Sequence, residues 1–301
     1  MLSPLPGNIH GNERSFGGKK MKYPIWVSSM TGGTELANKI NKSLAAMCGK
    51  YGIGMGLGSC RQLLHSDQYL SDFMVRDLMP EQPLFANLGI AQVEELIERK
   101  ELDKIDTLLE KLSADGLIVH VNPLQEWLQP EGDQIKMAPI ETIKTLLDQV
   151  KYPVIVKEVG QGFGKESLRA LLSLPLEAVD FASNGGTNFS KIELFRSNEI
   201  KQEVYKQISN LGHDAYTMMN WTNELVDEDL DIKAKQLIIS GGVKNFLDGY
   251  YFVSASKIEA TYGMASGFLK YALESDEELD QFVQLQLEGY DMAQAMLRTN
   301  L

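Results

Sequence analysis

Short apolar runs alternate with helical patterns along the chain. Eight of these runs have a continuous apolar character that is typical of parallel strands covered on both faces. Glycine or polar residues end each run or follow it within two positions, and they mark the end of a predicted strand. The eight predicted strands cover residues 25–28, 52–58, 84–87, 116–120, 154–157, 178–181, 237–240 and 261–264.

Apolar residues recur at helical spacing between the predicted strands, for example at Leu36, Ile40, Leu44 and Met47. Similar patterns occupy 105–112 and 140–147. The distance between the sixth and seventh strands is nearly double the others, and this gap, about 190–232, predicts a helical insertion. The last amphipathic pattern, 277–299, is expected to cap the fold or to join a subunit interface.

Eight successive β/α units favour one TIM (β/α)8 barrel, and a doubly wound sheet is the competing topology. The length of 301 residues and the hydrophobic content of 44% suit a single barrel domain over 1–301. No linker or low-complexity tract interrupts the pattern.

The chain carries a formal net charge of −12, which argues against a nucleic-acid partner. No apolar run reaches the length of a membrane span, and the first residues do not resemble a signal peptide. The two cysteines, Cys48 and Cys60, lie in apolar stretches and are expected to be buried and reduced. We therefore expect a cytoplasmic protein with no membrane partner.

The fourth predicted strand ends in a cluster of polar side chains. His120, Asn122, Gln125 and Glu126 lie within seven residues of one another, directly after an apolar run. In α/β enzymes the catalytic groups lie at the carboxyl ends of the strands. This cluster is therefore the first candidate for an active site.

Glycine-rich turns follow the sixth, seventh and eighth strands, and they include the pair Gly241 and Gly242. Glycine lets the backbone approach a phosphate closely, and in barrels the phosphate site lies after strands seven and eight. Lys157 ends an apolar strand, where a lysine needs an anionic or electron-rich partner. With the uncharged groups of Thr31, Ser59, Asn87 and Gln125, these features favour an FMN site over a simple sugar-phosphate site.

The ordered set of motifs resembles type 2 isopentenyl diphosphate isomerase. The resemblance runs from about residue 17 to 269 and rests on Met-Thr-Gly-Gly at 30–33, Gly-Ser-x-Arg at 58–61, Asn-Leu-Gly at 87–89, His-x-Asn-x-x-Gln-Glu at 120–126, Pro-Glu-Gly-Asp at 130–133, Val-Lys-Glu-Val-Gly at 156–160, Gly-Gly-Thr at 185–187, Gly-Gly-Val-Lys-Asn at 241–245 and Gly-Met-Ala at 263–265.

The resemblance implies an FMN-dependent barrel enzyme that interconverts isopentenyl and dimethylallyl diphosphate, with NADPH as reductant and Mg²⁺ on the diphosphate. It implies catalytic or pocket-lining roles for Gln125, His120 and Asn122, and a Mg²⁺ ligand in Glu126. The substrate would also contact Ser59 and Arg61. The implied cofactor-binding residues are Met30, Thr31, Gly32, Ser59, Asn87, Lys157, Thr187, Gly241, Gly242, Lys244, Ala265 and Ser266. We also expect a homo-oligomer.

The chain departs from the family pattern at several positions. An Arg-Lys-x-x-His stretch near the amino terminus, which grips the diphosphate in the family, is absent. We expect Arg61, assisted by one of the basic residues Arg14, Lys19 or Lys20, to bind the diphosphate instead. Lys244 replaces an arginine, and this exchange loses bidentate phosphate binding. We therefore expect FMN binding together with poor turnover, and the sequence leaves open whether native residues precede Met1.

Two other functions remain open. One is an FMN-dependent 2-hydroxy acid oxidase, whose sixth strand would end in Ser-Asn-His-Gly with the histidine as base; this chain has Gly185 at the position of that histidine. The other is a flavin-binding barrel of the same family with weak or no isomerase activity.

Overall fold

Eight parallel strands close into a barrel in the computed structural model, which describes residues 13–29 and 35–299. The barrel strands neighbour one another in chain order and the last pairs with the first, so the predicted TIM barrel is confirmed. A two-stranded hairpin precedes them. The strands are β1 (Arg14–Phe16), β2 (Lys19–Met21), β3 (Ile25–Val27), β4 (Gly54–Gly56), β5 (Leu84–Gly89), β6 (Gly116–His120), β7 (Val154–Lys157), β8 (Ala178–Asp180), β9 (Gln236–Ser240) and β10 (Ala260–Met264).

Helices surround the barrel, and they include the helices predicted at 36–47, 105–112, 140–147 and 277–299. They are α1 (Glu35–Tyr51), α2 (Ile90–Arg99), α3 (Asp103–Leu112), α4 (Pro123–Leu128), α5 (Pro139–Leu147), α6 (Lys165–Leu172), α7 (Phe189–Phe195), α8 (Glu199–Tyr205), α9 (Ala215–Asp227), α10 (Phe246–Ala255), α11 (Ser266–Glu274) and α12 (Asp276–Met296). Their buried aliphatic residues and the outward residues of the strands form the larger core. The helix α12 packs against α10 and α11.

The long connection between β8 and β9 contains the predicted helical insertion. Its helix α9 packs against α6 and β9, as a barrel crossover helix does, whereas α7 and α8 are additional. The helix α7 packs against α4, which begins just after β6. The insertion therefore lies over the carboxyl end of the barrel, beside the predicted active-site cluster.

The lumen of the barrel is closed at its amino end by an apolar layer. Phe16 and Met21 of the hairpin pack there against inward residues of the strands, and all are buried. The rings of Phe16 and Trp26 stack at a centroid distance of 4.8 Å, and Phe85 meets both rings edge-on. The hairpin is thus a plug at the end of the barrel opposite the strand termini that carry polar groups.

The position of this hairpin corrects one expectation about the diphosphate. The guanidinium of Arg14 donates to the carbonyl of Ala260, and Lys19 Nζ donates to the carbonyl of Pro80 at 3.1 Å. Both carbonyls lie at the amino ends of barrel strands. Arg14 and Lys19 therefore lie at the wrong end of the barrel to assist Arg61.

Cys48 and Cys60 are buried and unbridged, as the sequence predicts, and burial raises the pKa of the Cys60 thiol to about 12. Within the described residues, no helix has the length and apolar character needed to cross a membrane.

Candidate active site

A layer of polar side chains lies above the apolar layer in the lumen. On several strands the inward apolar residue is followed two positions later by an inward polar one, because side chains in a strand alternate between its faces. His120, Lys157 and Asp180 are register partners on β6, β7 and β8, so they point to the same side of the sheet. The layer also includes Asn87 of β5 and Ser240 of β9.

His120 is held as a neutral imidazole. Asn87 Nδ2 donates to the carbonyl of Leu57 at 3.1 Å, which leaves Asn87 Oδ1 to accept from His120 Nδ1 at 2.8 Å. The proton is therefore assigned to Nδ1, and Nε2 is an acceptor. Burial, together with the positive charge of Lys157, lowers the pKa of His120 to about 3.

Glycine at position 89 makes room for that imidazole. Gly89 is the register partner of His120 on the neighbouring strand, and a Cβ at Gly89 would lie only 2.8 Å from His120 Nε2. The Asn-Leu-Gly motif thus supplies both the hydrogen-bond partner of His120 and the space that its ring occupies.

Lys157 and Asp180 are buried register neighbours at the centre of the layer. Asp180 is fully buried, and its Oδ1 accepts from the Ser240 hydroxyl and from the Ala182 amide. Burial raises the pKa of Asp180, while the Lys157 ammonium and the Ser240 hydroxyl oppose that rise. Its second oxygen, Oδ2, is buried and accepts no hydrogen bond from the described part of the chain.

The loop after β7 fixes the orientation of Lys157. Its Nζ donates to the carbonyl of Glu158 at 2.7 Å. The Glu158 side chain turns back, and its Oε2 accepts four backbone amides, those of residues 159–162, at 2.6 to 2.8 Å. Such a nest of amides around one carboxylate oxygen holds the loop in a single conformation.

Two adjoining cavities form one cleft across the carboxyl end of the barrel. The first, of about 310 Å³, is bounded by the glycine-rich turns after β8, β9 and β10. The second, of about 240 Å³, is lined by Ser59, Asn87, His120 and Gln125 among others. The two share the same wall residues, Ser29, Lys157, Val159 and Phe189.

The turns after β8 and β9 can approach each other only because both contain glycine. Gly241 and Gly242 have φ values of +86° and +78°, in the left-handed region that favours glycine. A Cβ on Gly241 would lie 2.2 Å from the carbonyl oxygen of Ser183. The two turns therefore present bare backbone to the first cavity.

The amino terminus of α11 faces the same end of the cleft. Ala265 and Ser266, where α11 begins, line the first cavity, and no side chain caps this helix. By contrast, the neighbouring helix α10 is capped by Asn245, whose side chain accepts two of its amides. Uncapped amides at a helix amino terminus attract an anion such as a phosphate.

The predicted cluster after β6 folds as one hydrogen-bonded group on α4. Asn122 Nδ2 donates to Glu126 Oε1 at 2.8 Å and to Gln125 Oε1 at 3.3 Å. The side-chain oxygen of Asn122, Oδ1, is buried and accepts no hydrogen bond within the described residues. Gln125 lines the second cavity, whereas Asn122 and Glu126 line neither cavity.

Arg61 is engaged by a neighbouring loop. It follows Ser59 at the end of β4, and its Nη1 lies 2.9 Å from Asp133 Oδ2. Asp133 belongs to the Pro-Glu-Gly-Asp motif after α4, and its amide donates to Glu126 Oε2 at 2.7 Å. The predicted substrate and metal residues are therefore connected through Asp133.

Most of the predicted site residues come together in this cleft. Thr187, Gly241, Gly242, Ala265 and Ser266 line the first cavity. Lys244 is exposed and is not among the residues lining either cavity. Met30, Thr31 and Gly32 lie outside the described residues.

Sequence reasoning missed Asp180, Phe189 and the two serines that follow β3, Ser28 and Ser29. Asp180 could have been found as a charged residue at an inward position of an apolar strand, the same signal that identified Lys157. Ser28 and Ser29 line the first cavity, and their hydroxyls are buried without a hydrogen-bond partner among the described residues.

The chain is similar to curated isopentenyl-diphosphate delta-isomerases. It is 38% identical over 276 residues to the enzyme of that name from Rickettsia felis (strain ATCC VR-1525 / URRWXCal2), covering 91% of this chain and 76% of the relative. It is 35% identical over 289 residues to that of Rickettsia akari (strain Hartford), covering 95% and 81%. A comparison with models of known protein families gives no match.

Solved structures with a similar fold include the recombinant flavin-binding domain of baker's yeast flavocytochrome b2, with a TM-score of 0.63 and 14% identity over 94% of this chain and 68% of that one. A mandelate oxidase mutant with the monooxide FMN adduct has a TM-score of 0.63 and 12% identity over 98% and 81%. At these identities the likeness concerns the fold.

Proposed function

Because the chain belongs to the type 2 isopentenyl diphosphate isomerase family, we propose that it interconverts isopentenyl and dimethylallyl diphosphate with the help of FMN. The observation that carries this proposal is the cleft, in which a glycine-built anion site and a polar pocket meet at one buried lysine, Lys157.

The residues of the cleft fit FMN. The turns at Gly241 and Gly242 and the uncapped start of α11 suit its phosphate, since bare backbone amides are what a phosphate cradle requires. The buried, unpartnered hydroxyls of Ser28 and Ser29 are further polar groups that a ligand would satisfy. Asn87 and Lys157, with Ser59, would contact the ring at the other end.

When bound in its reduced form, with NADPH as the proposed reductant, FMN supplies a protic nitrogen and an electron-rich ring that can stabilise positive character on the substrate. The residues of this chain would position the flavin and the substrate and would shield them from water. Lys157 and the buried Asp180 would give the flavin ring a preorganised polar environment, which requires no rearrangement during reaction.

Gln125, His120 and Asn122 have different parts in the proposed pocket. Gln125 and His120 line the wall where the alkene would lie, and His120 Nε2 is an acceptor because its ring is neutral. Asn122 touches both Gln125 and Glu126, so it fixes their relative orientation. Moving a double bond by one carbon requires a proton to be delivered and another to be removed at neighbouring carbons, which demands this rigidity.

Glu126 is proposed to hold Mg²⁺ together with the substrate. Each of its oxygens accepts one hydrogen bond, one of them from Asn122, whose own Oδ1 is buried and accepts no hydrogen bond within the described residues. The described residues contain no group of three or more His, Cys, Asp or Glu side chains that could hold a metal. A protein site with so few oxygen ligands fits a Mg²⁺ ion that binds together with the diphosphate and keeps several of its waters.

The oxidase alternative lacks its base. The turn after β8 has Gly185 where that reaction would need a histidine, and Gly185 packs against Gly242. Hydrogen peroxide production with lactate or glycolate would support that alternative.

The binding of FMN can be tested on the purified protein. We expect the visible absorption band of oxidised flavin, and we expect NADPH to bleach it under anaerobic conditions. A colourless protein that stays colourless after incubation with FMN and gel filtration would contradict the cofactor proposal.

A further inference from the structure

Asp133 contacts both the residue proposed to bind the diphosphate and the residue proposed to bind its metal ion. Resting on the proposed function, we propose that Asp133 is a positioning residue that holds the Arg61 guanidinium for the diphosphate and ties it to Glu126. Asp133 lies on the loop after α4, and its carboxylate and backbone amide contact three residues, Arg61, Gln92 and Glu126.

The Asp133 carboxylate is fixed by the barrel itself. Gln92 Nε2 donates to Asp133 Oδ2 at 2.8 Å. Gln92 is itself buried, and its Oε1 accepts from the amide of Gly89 at 3.0 Å. Through buried Gln92, the position of the Asp133 carboxylate is therefore fixed relative to Gly89 at the end of β5, beside His120.

Arg61 meets this carboxylate through two nitrogens. Nη1 lies 2.9 Å from Oδ2, and Nη2 lies 3.2 Å from Oδ1. Such a fork sets the plane of the guanidinium and engages two of its five N–H groups, which leaves donors for phosphate oxygens. With side chains 49% and 33% exposed, the pair contributes little to folding stability. Orientation is thus the main effect of the pair.

The backbone of Asp133 orients Glu126. Its amide donates to Glu126 Oε2, and Asn122 restrains the other oxygen. The turn can fold onto α4 in this way only because residue 132 is glycine, since a Cβ there would lie 1.9 Å from the carbonyl oxygen of Glu126. One short turn therefore sets a cationic group and an anionic group at a fixed separation, which suits a diphosphate with its metal ion.

A double-mutant cycle on the FMN-loaded protein tests this role. The variants are Asp133→Asn, Arg61→Gln and the two combined, and the probe is pyrophosphate with Mg²⁺, titrated by calorimetry. Asp133→Asn keeps the amide donor to Glu126 and removes the charge that holds Arg61. We expect its Kd for magnesium pyrophosphate to rise about tenfold, the effect of losing one charge-assisted contact.

In the Arg61→Gln background the same substitution should change the Kd little, because Asp133 acts through Arg61. With isopentenyl diphosphate, KM should rise more than kcat falls. Glu131→Gln removes a carboxylate of the same loop, one that pairs with Arg196 instead, and should bind pyrophosphate like the parent.

Three results would overturn the proposal. The first is an equal loss of affinity for magnesium pyrophosphate when Asp133→Asn is made in the parent and in Arg61→Gln. The second is tighter or unchanged binding by Asp133→Asn, and the third is no binding of magnesium pyrophosphate by the parent protein. The calorimetric cycle does not depend on turnover. A parent that binds magnesium pyrophosphate but forms no dimethylallyl diphosphate would therefore refute the proposed function. The double-mutant cycle would still decide the role of Asp133.

Discussion

At the scale of single residues, surroundings decide what each polar group of the cleft can do. His120 has the side chain most often used as an acid or a base near neutral pH, yet burial and Lys157 lower its pKa to about 3 and keep it neutral. Asp180 and Lys157 were both inward residues on apolar strands, but only the lysine was recognised from sequence. Hydrogen-bond partners such as Asn87 for His120 come from other strands, so no local pattern encodes them.

The neutral state of His120 predicts a pH dependence of stability. The pKa of His120 in the folded protein, about 3, lies below the ordinary value of 6.5. The unfolded chain therefore takes up the proton first as the pH falls, and the stabilisation present above about pH 6.5 is lost toward pH 3. Between pH 7 and pH 5 the parent should lose about 2 kcal/mol more unfolding free energy than His120→Gln, by urea denaturation. Equal losses in the two proteins would show that the fold does not lower the pKa of His120.

The role of Glu126 predicts a selective loss of activity. Glu126→Gln should reduce isomerase turnover at least ~100-fold, because the charge that holds Mg²⁺ is lost. The flavin content should stay unchanged, since Glu126 lines neither cavity that would hold FMN. Turnover and absorption spectra of Glu126→Gln and of the control Glu131→Gln measure both effects. A Glu126→Gln protein with parental turnover would exclude this role.

At the scale of elements, the sequence predicts what periodicity encodes and misses what depends on three-dimensional closure. The eight strands, the major helices and the insertion follow from hydrophobic spacing and are confirmed. The hairpin Arg14–Met21 was not predicted as a plug, because its short strands carry basic residues and only Phe16 and Met21 face the lumen. The basic residues were therefore assigned to the wrong end of the barrel.

A negative charge in the glycine-rich turn after β9 is expected to have the strongest effect on flavin binding. Gly242→Asp should abolish flavin retention by placing a negative charge against the phosphate. Gly242→Asn is the matched control, since asparagine has the same shape, no charge, and tolerance of positive φ. Flavin content after gel filtration should fall far more in Gly242→Asp than in Gly242→Asn. Equal flavin content in the two variants would place the phosphate elsewhere.

At the scale of the whole molecule, the insertion carries an exposed apolar surface. Ile200 and Val204, one turn apart on α8, are 76% and 67% exposed, and Phe195 at the end of α7 is 66% exposed. The helix α8 buries no residue. Apolar patches of this kind mark association surfaces, which supports the proposal that the chain forms a homo-oligomer.

Self-association through this surface can be measured directly. Replacing Ile200 and Val204 by aspartate should lower the mass of the particle measured by light scattering, because charged residues cannot be buried at an apolar contact. The same two substitutions at the exposed residues Met74 and Leu78, which lie outside both the insertion and α12, are the control. A parent protein that is monomeric at high concentration would refute the proposal.

The central claim is that this barrel isomerises isopentenyl diphosphate with reduced FMN. The most direct measurement is anaerobic incubation of the protein with FMN, NADPH, Mg²⁺ and isopentenyl diphosphate, with dimethylallyl diphosphate followed by NMR. We expect product to form only when the flavin is reduced, and slowly, because Arg14 and Lys19 are engaged at the opposite end of the barrel. Absence of product from a protein that carries reduced FMN, or equal rates with oxidised FMN, would contradict the claim.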